Sequence, residues 1–274
     1  MEKYIMLNKA VGETPLSCAE AYRAEHPELT GVSMAYAGRL DPMASGKLLV
    51  LLGDECKNQT TYHSLDKEYE FSVLLGIGSD SHDVLGRLHT APEALPARTP
   101  EGLSAELATI AKTLVGDIQL PYPHFSAKTV QGIPLHMWTL QGRLDEIEIP
   151  TKESTIYDLA LESVQQKSRA DVCAQARTKI DSIPEVTEER KALGNDFRRV
   201  DVRADWERIN QDETLPTEYQ IAHFTCTASS GTYMRTLAHL IGQRLHIPAL
   251  AWSIHRTRIG TFDATTRTWS SEFS

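Results

Sequence analysis

The sequence predicts an α+β fold with a mixed central sheet, and three observations carry that reading. Apolar runs and period-2 alternation mark strands near both ends of the chain. Helical periodicity falls between them at irregular intervals, without the regular spacing of βαβ units. Clusters of Gly, Pro and Ser separate these segments. At 274 residues the chain can bury a full core without disulfides or metals. It is read as one domain, 1–274, carrying an insertion.

The elements follow in order. Lys47 to Leu52 (KLLVLL) is a short apolar run suited to a buried strand. Tyr69, Phe71, Val73 and Leu75 alternate with Glu70, Ser72 and Leu74, the period of a second strand. Thr99 and Pro100 open a helix as cap and first-turn proline, and Leu103, Leu107, Ile110 and Leu114 share its apolar face. Ala222, Phe224, Cys226 and Ala228 alternate into a strand that ends at Ser229-Ser230-Gly231, and Thr232 to Leu245 reads as a helix. Residues 165–218 differ: they are rich in Gln, Arg, Asp and Glu and hold few large apolar residues. Val164 to Ile180 reads as a weakly amphipathic helix, with breaks at Ser182-Ile183-Pro184 and Leu193-Gly194-Asn195. This segment is the expected insertion, helical in part.

A net charge of −9 argues, taken alone, against a nucleic-acid binder, whose footprint is usually basic. The charge is uneven, however. Residues 1–140 and 141–220 each carry −6, whereas 221–274 carry +3. No apolar run approaches the ~20 residues needed to cross a bilayer, and the N-terminus is too short and polar for a signal peptide. Cys18, Cys56, Cys173 and Cys226 are far apart and form no metal spacing, which fits a reducing cytoplasm.

The densest local oddity is Ala37-Gly38-Arg39-Leu40-Asp41-Pro42-Met43-Ala44-Ser45-Gly46. Two glycines bracket an Asp-Pro step just before a buried strand. Pro42 disfavours helix at Asp41 and fixes the next φ, so the loop is rigid. Alone, Asp41 would be read as a turn cap. Other segments alter that: Lys9 with Gly12, Lys67 with Tyr69, Gly231-Thr232-Tyr233-Met234-Arg235, and Arg256-Thr257-Arg258-Ile259-Gly260-Thr261-Phe262.

In this order, the segments resemble the TruB family of RNA pseudouridine synthases. The family's G-x-L-D-P-x-A-x-G motif is matched at Gly38, Leu40, Asp41, Pro42, Ala44 and Gly46, its K-x-Y at Lys67 and Tyr69, its G-T-Y-x-R at Gly231 to Arg235, and its R-T-R-x-G-x-F at Arg256 to Phe262. The resemblance covers most of the chain outside 165–218. It implies the pseudouridine synthase fold, a mostly antiparallel central sheet flanked by helices. It also implies isomerisation of uridine to pseudouridine at position 55 in the tRNA T-loop. Asp41 is then the nucleophile, Arg235 its guanidinium partner, and Tyr69 the stacking platform for a flipped base, with a possible part in proton removal. Tyr36, Arg39, Lys9, Tyr233, Ile254, Arg256 and Arg258 are the expected substrate-binding residues. Arg suits the partner role because it stays charged and binds carboxylates bidentately. The reaction exchanges a C–N for a C–C bond without redox change, so no cofactor, nucleotide or metal is expected. The expected partner is the tRNA T-arm, and the expected form is a cytoplasmic monomer without membrane association.

Departures from the family pattern fall around the motifs. Tyr36 stands at the usual His position, and Arg39 where a small neutral residue is usual. Tyr122 to Lys128 carries one extra residue, and His239 or Leu240 replaces an acidic position. No counterpart of the family's C-terminal PUA domain follows Phe262, so a short form is expected. Two alternatives stand beside the enzyme: a non-catalytic RNA-folding protein of the same fold, and a carboxylate glycoside hydrolase. The latter needs a second acid, and Asp80 and Asp83 read better as turn residues. Arg190, Lys191, Arg198 and Arg199 are the dense basic spots of the insertion, either a grip on RNA or, more simply, a solvated face.

Overall fold

A computed structural model describes residues 2–91, 99–185 and 196–273. In chain order the strands and helices begin with β1 (Tyr4–Lys9), α1 (Pro15–Glu25), β2 (Met34–Tyr36), β3 (Ala44–Leu52), α2 (Gln59–His63) and β4 (Asp66–Leu75). Then come β5 (Ile77–Ser79), β6 (Leu88–Thr90), α3 (Pro100–Thr113), β7 (Gly116–Pro121), β8 (Thr129–Val130), β9 (Ile133–Pro134) and α4 (Leu135–Leu140). The remainder is β10 (Thr151–Ser168), α5 (Arg169–Asp181), α6 (Arg199–Gln211), β11 (Glu218–Ala228), α7 (Met234–Leu245), β12 (Ala249–Asp263) and β13 (Thr268–Glu272).

The main sheet runs β1-β3-β12-β4-β11-β10-β7, with β2 added to β3 and β13 to β12. Every pairing is antiparallel except β3 with β12, which run parallel through Ala44–Ile254, Ser45–His255 and Gly46–Arg256. The α+β, mixed and mostly antiparallel reading therefore holds. The parallel contact is short but decisive for the site, because it joins the segment after Asp41 to the C-terminal arginine motif.

Local sequence explains the elements. The Thr99 hydroxyl caps α3 by accepting from the Gly102 N–H at 3.1 Å, and Leu103, Leu107, Ile110 and Ala111 are buried on its core face. In β4 the alternation stops at Phe71: Ser72, Val73, Leu74 and Leu75 are all buried, as befits a central strand flanked by β12 and β11. The helix expected from Thr232 begins at Met234, because Ser229 to Thr232 form a turn. There the Thr232 hydroxyl donates to the Ser229 carbonyl at 2.8 Å.

The larger difference lies at 164–180. Residues 164–168 continue β10, paired with β11 as far as Ser168 opposite Glu218. Only then does α5 start, where the Ser168 hydroxyl accepts from the Asp171 N–H at 3.1 Å. The ladder to β11 satisfies the backbone that a weak helical period left undecided. The segment's few apolar residues sit on one side of its two helices. Val172, Ala176 and Ile180 of α5, with Val202, Trp206 and Ile209 of α6, join the core cluster of Phe71, Phe224 and Leu250. Trp206 packs edge-on to Trp252 at 6.2 Å and donates its indole N–H to the Val84 carbonyl at 3.2 Å. The expected break at Leu193-Gly194-Asn195, together with Arg190 and Lys191, lies outside the described residues.

Candidate active site

Asp41 sits in the loop between β2 and β3. Gly38 and Gly46, its bracketing glycines, have φ of +97° and +104°. At Gly46 the reason is also steric: a Cβ there would lie 2.3 Å from the Arg256 carbonyl oxygen. Arg256, 1% exposed, donates from Nε to the Lys47 carbonyl at 2.7 Å and from Nη2 to the Gly38 carbonyl at 3.1 Å. One guanidinium therefore ties both ends of the aspartate loop. Within it the Ala44 N–H bonds the Asp41 carbonyl at 3.0 Å, and from outside the Gly12 N–H bonds the Pro42 carbonyl at 2.9 Å.

Arg235, in the first turn of α7 and 3% exposed, uses all three arms of its fork. Nε donates to Asp41 Oδ2 at 2.8 Å, Nη1 to the Ser81 carbonyl at 2.9 Å, and Nη2 to the Phe125 carbonyl at 3.1 Å. Asp83 Oδ2 lies 3.6 Å from Nε. Burial alone would disfavour the cation, but the carboxylates of Asp41 and Asp83 outweigh it and hold the Arg235 pKa above its ordinary value. Burial pushes the Asp83 carboxyl upward, opposed by Arg235 and by the Ser81 hydroxyl, which donates to Oδ1 at 2.6 Å. The Asp41 side chain stays 40% exposed. The site thus holds an accessible carboxylate on a buried, immobilised cation.

These groups border a cleft of about 960 Å³, which Tyr36, Arg39, Tyr69, Tyr233, Ile254 and Arg256 also line. Tyr69 lies opposite Arg256 in the ladder between β4 and β12. Burial raises its pKa, against the pull of Arg256, so it remains a neutral phenol near pH 7. Ile254 is opposite both Ala44 and Phe71. Tyr233 meets Tyr122 edge-on at 5.8 Å. Tyr36 is fixed through its carbonyl, which accepts from Gln59 Nε2 at 2.8 Å.

Two expected substrate contacts lie elsewhere. Lys9 is 1% exposed and donates to the Ala10 and Glu13 carbonyls at 2.9 and 2.7 Å. Burial pushes its pKa down to about 8. It holds the turn that supports Pro42 and does not line the cleft. Arg258 is 44% exposed, 3.6 Å from Glu68 and 3.9 Å from Glu272, also outside the cleft. Conversely, Lys67 lines the cleft, donating to the Leu65 and His63 carbonyls, and burial beside Arg256 lowers its pKa to about 8.

Sequence reasoning missed Asp83, read as a turn residue, and the carbonyls of Ser81 and Phe125. A carbonyl acceptor has no residue signature, and Asp83 matched no spacing rule. Asp83 is not the second acid of a glycoside hydrolase: it is 4% exposed and bonded to Ser81, to the Leu85 N–H and to Arg235. Among the described residues no cluster of three or more His, Cys, Asp or Glu is placed to hold a metal.

A sequence model of the TruB family pseudouridylate synthases, N-terminal domain, matches residues 29–181. The chain belongs to this family. It is 29% identical to the tRNA pseudouridine synthase B of Geobacillus kaustophilus, over 96% of this chain and 72% of the relative. It is 27% identical to tRNA pseudouridine synthase 4 of Saccharomyces cerevisiae, over 80% of this chain and 58% of that protein. Among solved structures, a Cbf5-Nop10-Gar1 complex superposes with a TM-score of 0.51 at 17% identity. That match covers 94% of this chain and 49% of the other, so the chain spans about half of that structural relative. The likeness supports a pseudouridine synthase fold. The TruB motif residues Asp41, Tyr69 and Arg235 converge on one cleft, with Arg256 braced behind the loop.

Proposed function

We propose that this TruB-family chain is an RNA pseudouridine synthase acting on the uridine at position 55 of the tRNA T-loop. The observation that carries the reading is the three-armed anchoring of Arg235, which places a guanidinium on a carboxylate that still faces the cleft. The reaction breaks the C1′–N1 bond, forms C1′–C5, moves a proton from C5 and returns one to N1. Asp41 serves as the ionised nucleophile, since the neutral acid would be a poor one. Arg235 holds that carboxylate in place through the charge-assisted bond from its Nε.

The target base leaves its stack to enter the cleft, at a cost of a few kcal/mol. Tyr69, Tyr233 and Ile254 offer aromatic and apolar surface to offset it, and a neutral Tyr69 phenol suits stacking. Tyr36 and Arg39, at the same cleft, are placed to meet the RNA around the extruded nucleotide. No step requires a cofactor. Among the described residues no helix is long and apolar enough to cross a membrane.

The test is a T-arm stem-loop transcript labelled with tritium at uridine C5 and incubated with the pure protein. Stoichiometric tritium release, mapped to position 55, is the expected result. No release above background at equimolar enzyme would leave the RNA-binding, non-catalytic reading in its place.

A further inference from the structure

We propose that Arg198 is a positioning residue for the active site, acting through Asp80, Ser81 and Phe125 to keep Arg235 aimed at Asp41. The inference rests on the catalytic reading above but concerns a residue outside the family motifs and outside the matched span of 29–181. Arg198 ends a short 3-10 turn, Asp196–Arg198, directly before α6. It lines the cleft, with its side chain 17% exposed.

Its guanidinium makes two kinds of contact. Nη1 donates to Asp80 Oδ2 at 2.6 Å and Nη2 to Asp80 Oδ1 at 3.0 Å, a fork-to-fork pair. The same group lies over the Phe125 ring, 4.2 Å from its centroid. One of these partners is an attachment point of the Arg235 fork and the other adjoins one. Phe125 supplies the carbonyl that accepts from Arg235 Nη2, and Asp80 immediately precedes Ser81, whose carbonyl accepts from Nη1.

The turn that holds Ser81 is tied further. Asp80 and Arg87 bond each other through backbone N–H and carbonyl at 3.2 Å, and the Arg87 N–H donates to Asp80 Oδ1 at 2.9 Å. Arg87 Nε then donates to Asp205 of α6 at 2.7 Å. The segment carrying Arg198 therefore grips the 80–87 turn at two points. Two of the three acceptors that orient Arg235 belong to segments that Arg198 clamps together. A guanidinium is planar, so an acceptor displaced by about 1 Å rotates the fork and misaligns Nε on Asp41, and displacements of that size cost up to about 100-fold in rate. A direct grip on RNA fits less well, because the Arg198 donors already bond Asp80.

The experiment compares Arg198→Ala, Arg198→Lys and Asp80→Asn with the wild type. It reads single-turnover rate, KM for the T-arm transcript, the urea midpoint, and the Nε–H resonance of Arg235, assigned by its loss in Arg235→Lys. Arg198→Ala is expected to slow turnover about 10- to 100-fold with KM changed less than about threefold, while Arg198→Lys recovers part of the rate. Asp80→Asn should act in the same direction, and it carries the test if Arg198→Ala does not fold. The Arg235 Nε–H signal should shift or broaden in a chain that otherwise stays folded. Unchanged turnover with an unchanged signal overturns the proposal. So does a raised KM with turnover intact, which would make Arg198 an RNA contact. If the wild type modifies no RNA, the catalytic reading fails, and the Arg235 resonance alone decides whether Arg198 positions it.

Discussion

His82 offers a quantitative test of how the site is built. It lies between Ser81 and Asp83, both of which contact Arg235, and its backbone has φ +61°. Its ring stacks on His239 at 4.0 Å with planes 3° apart, and His124 lies 6.0 Å away. Burial lowers its pKa to about 3, helped by His239, His124 and Arg235. In the unfolded chain the same imidazole titrates near 6.5. Between these values the unfolded state binds the extra proton. Stability is therefore fully present above pH ~6.5, falls as pH drops, and goes on falling until pH nears 3. At pH 5.5 the unfolded histidine has gained roughly 1 kcal/mol from protonation and the folded one almost nothing, whereas at pH 7.5 neither gains appreciably. His82→Asn keeps a residue that tolerates positive φ and removes the titration. Urea unfolding of both proteins at pH 7.5 and 5.5 gives a double difference in which titrating groups remote from residue 82 cancel. The wild type should lose roughly 1 kcal/mol more than the variant over that interval. Equal losses, within about 0.3 kcal/mol, would refute the claim that His82 is held neutral.

Three further outcomes follow from the site. Asp41→Asn should abolish tritium release while T-arm affinity, measured by filter binding, stays within about threefold of wild type; full activity would remove Asp41 from the nucleophile role. Arg235→Lys cannot reproduce three planar donors and should cost about 100- to 1000-fold in single-turnover rate, and a loss under fivefold would contradict the anchoring argument. Gly46→Ala places a methyl against the Arg256 carbonyl at a φ of +104°, so its urea midpoint should report a loss of about 2 kcal/mol or more; a neutral result would mean the β3–β12 contact is looser than described.

Legibility in the sequence followed the kind of interaction. Helix α3 was readable because its cap, proline and apolar stripe agree, β11 because apolar residues alternate along it, and β4 because its aromatic and aliphatic residues recur at every second position even though its second half is buried on both faces. The strand β10 was not read at all, and its last residues, from Val164, were assigned to a helix. Its exposed face carries residues such as Glu153, Glu162 and Gln165, and its order comes from ladders to β7 and β11 rather than from hydrophobic period. Asp41, Tyr69 and Arg235 were legible only as a set of motifs in order, since each alone has an ordinary structural use. The burial of Lys9 and Arg256 was hidden because both act on backbone carbonyls, which no side-chain pattern records. Arg198 was hidden for a further reason: its partners, Asp80 and Phe125, lie 118 and 73 positions away.

The fate of the cations changes the meaning of the net charge. In a protein of −9, most of the cations nearest the aspartate loop are already bonded within the chain. Arg235 is spent on Asp41 and two carbonyls, Arg256 on the carbonyls of Gly38 and Lys47, and Arg198 on Asp80. Lys9 and Lys67 bond carbonyls as well. Most of these bonds tie down main-chain carbonyls, and the rest end on the carboxylates of Asp41 and Asp80. The charge in this cleft serves geometry, and few of its cations remain to neutralise phosphates. If the proposed function holds, non-specific affinity for RNA should accordingly be weak and salt-sensitive, and selectivity would rest on the shape of the stem-loop and on the surface a flipped base would gain inside the cleft.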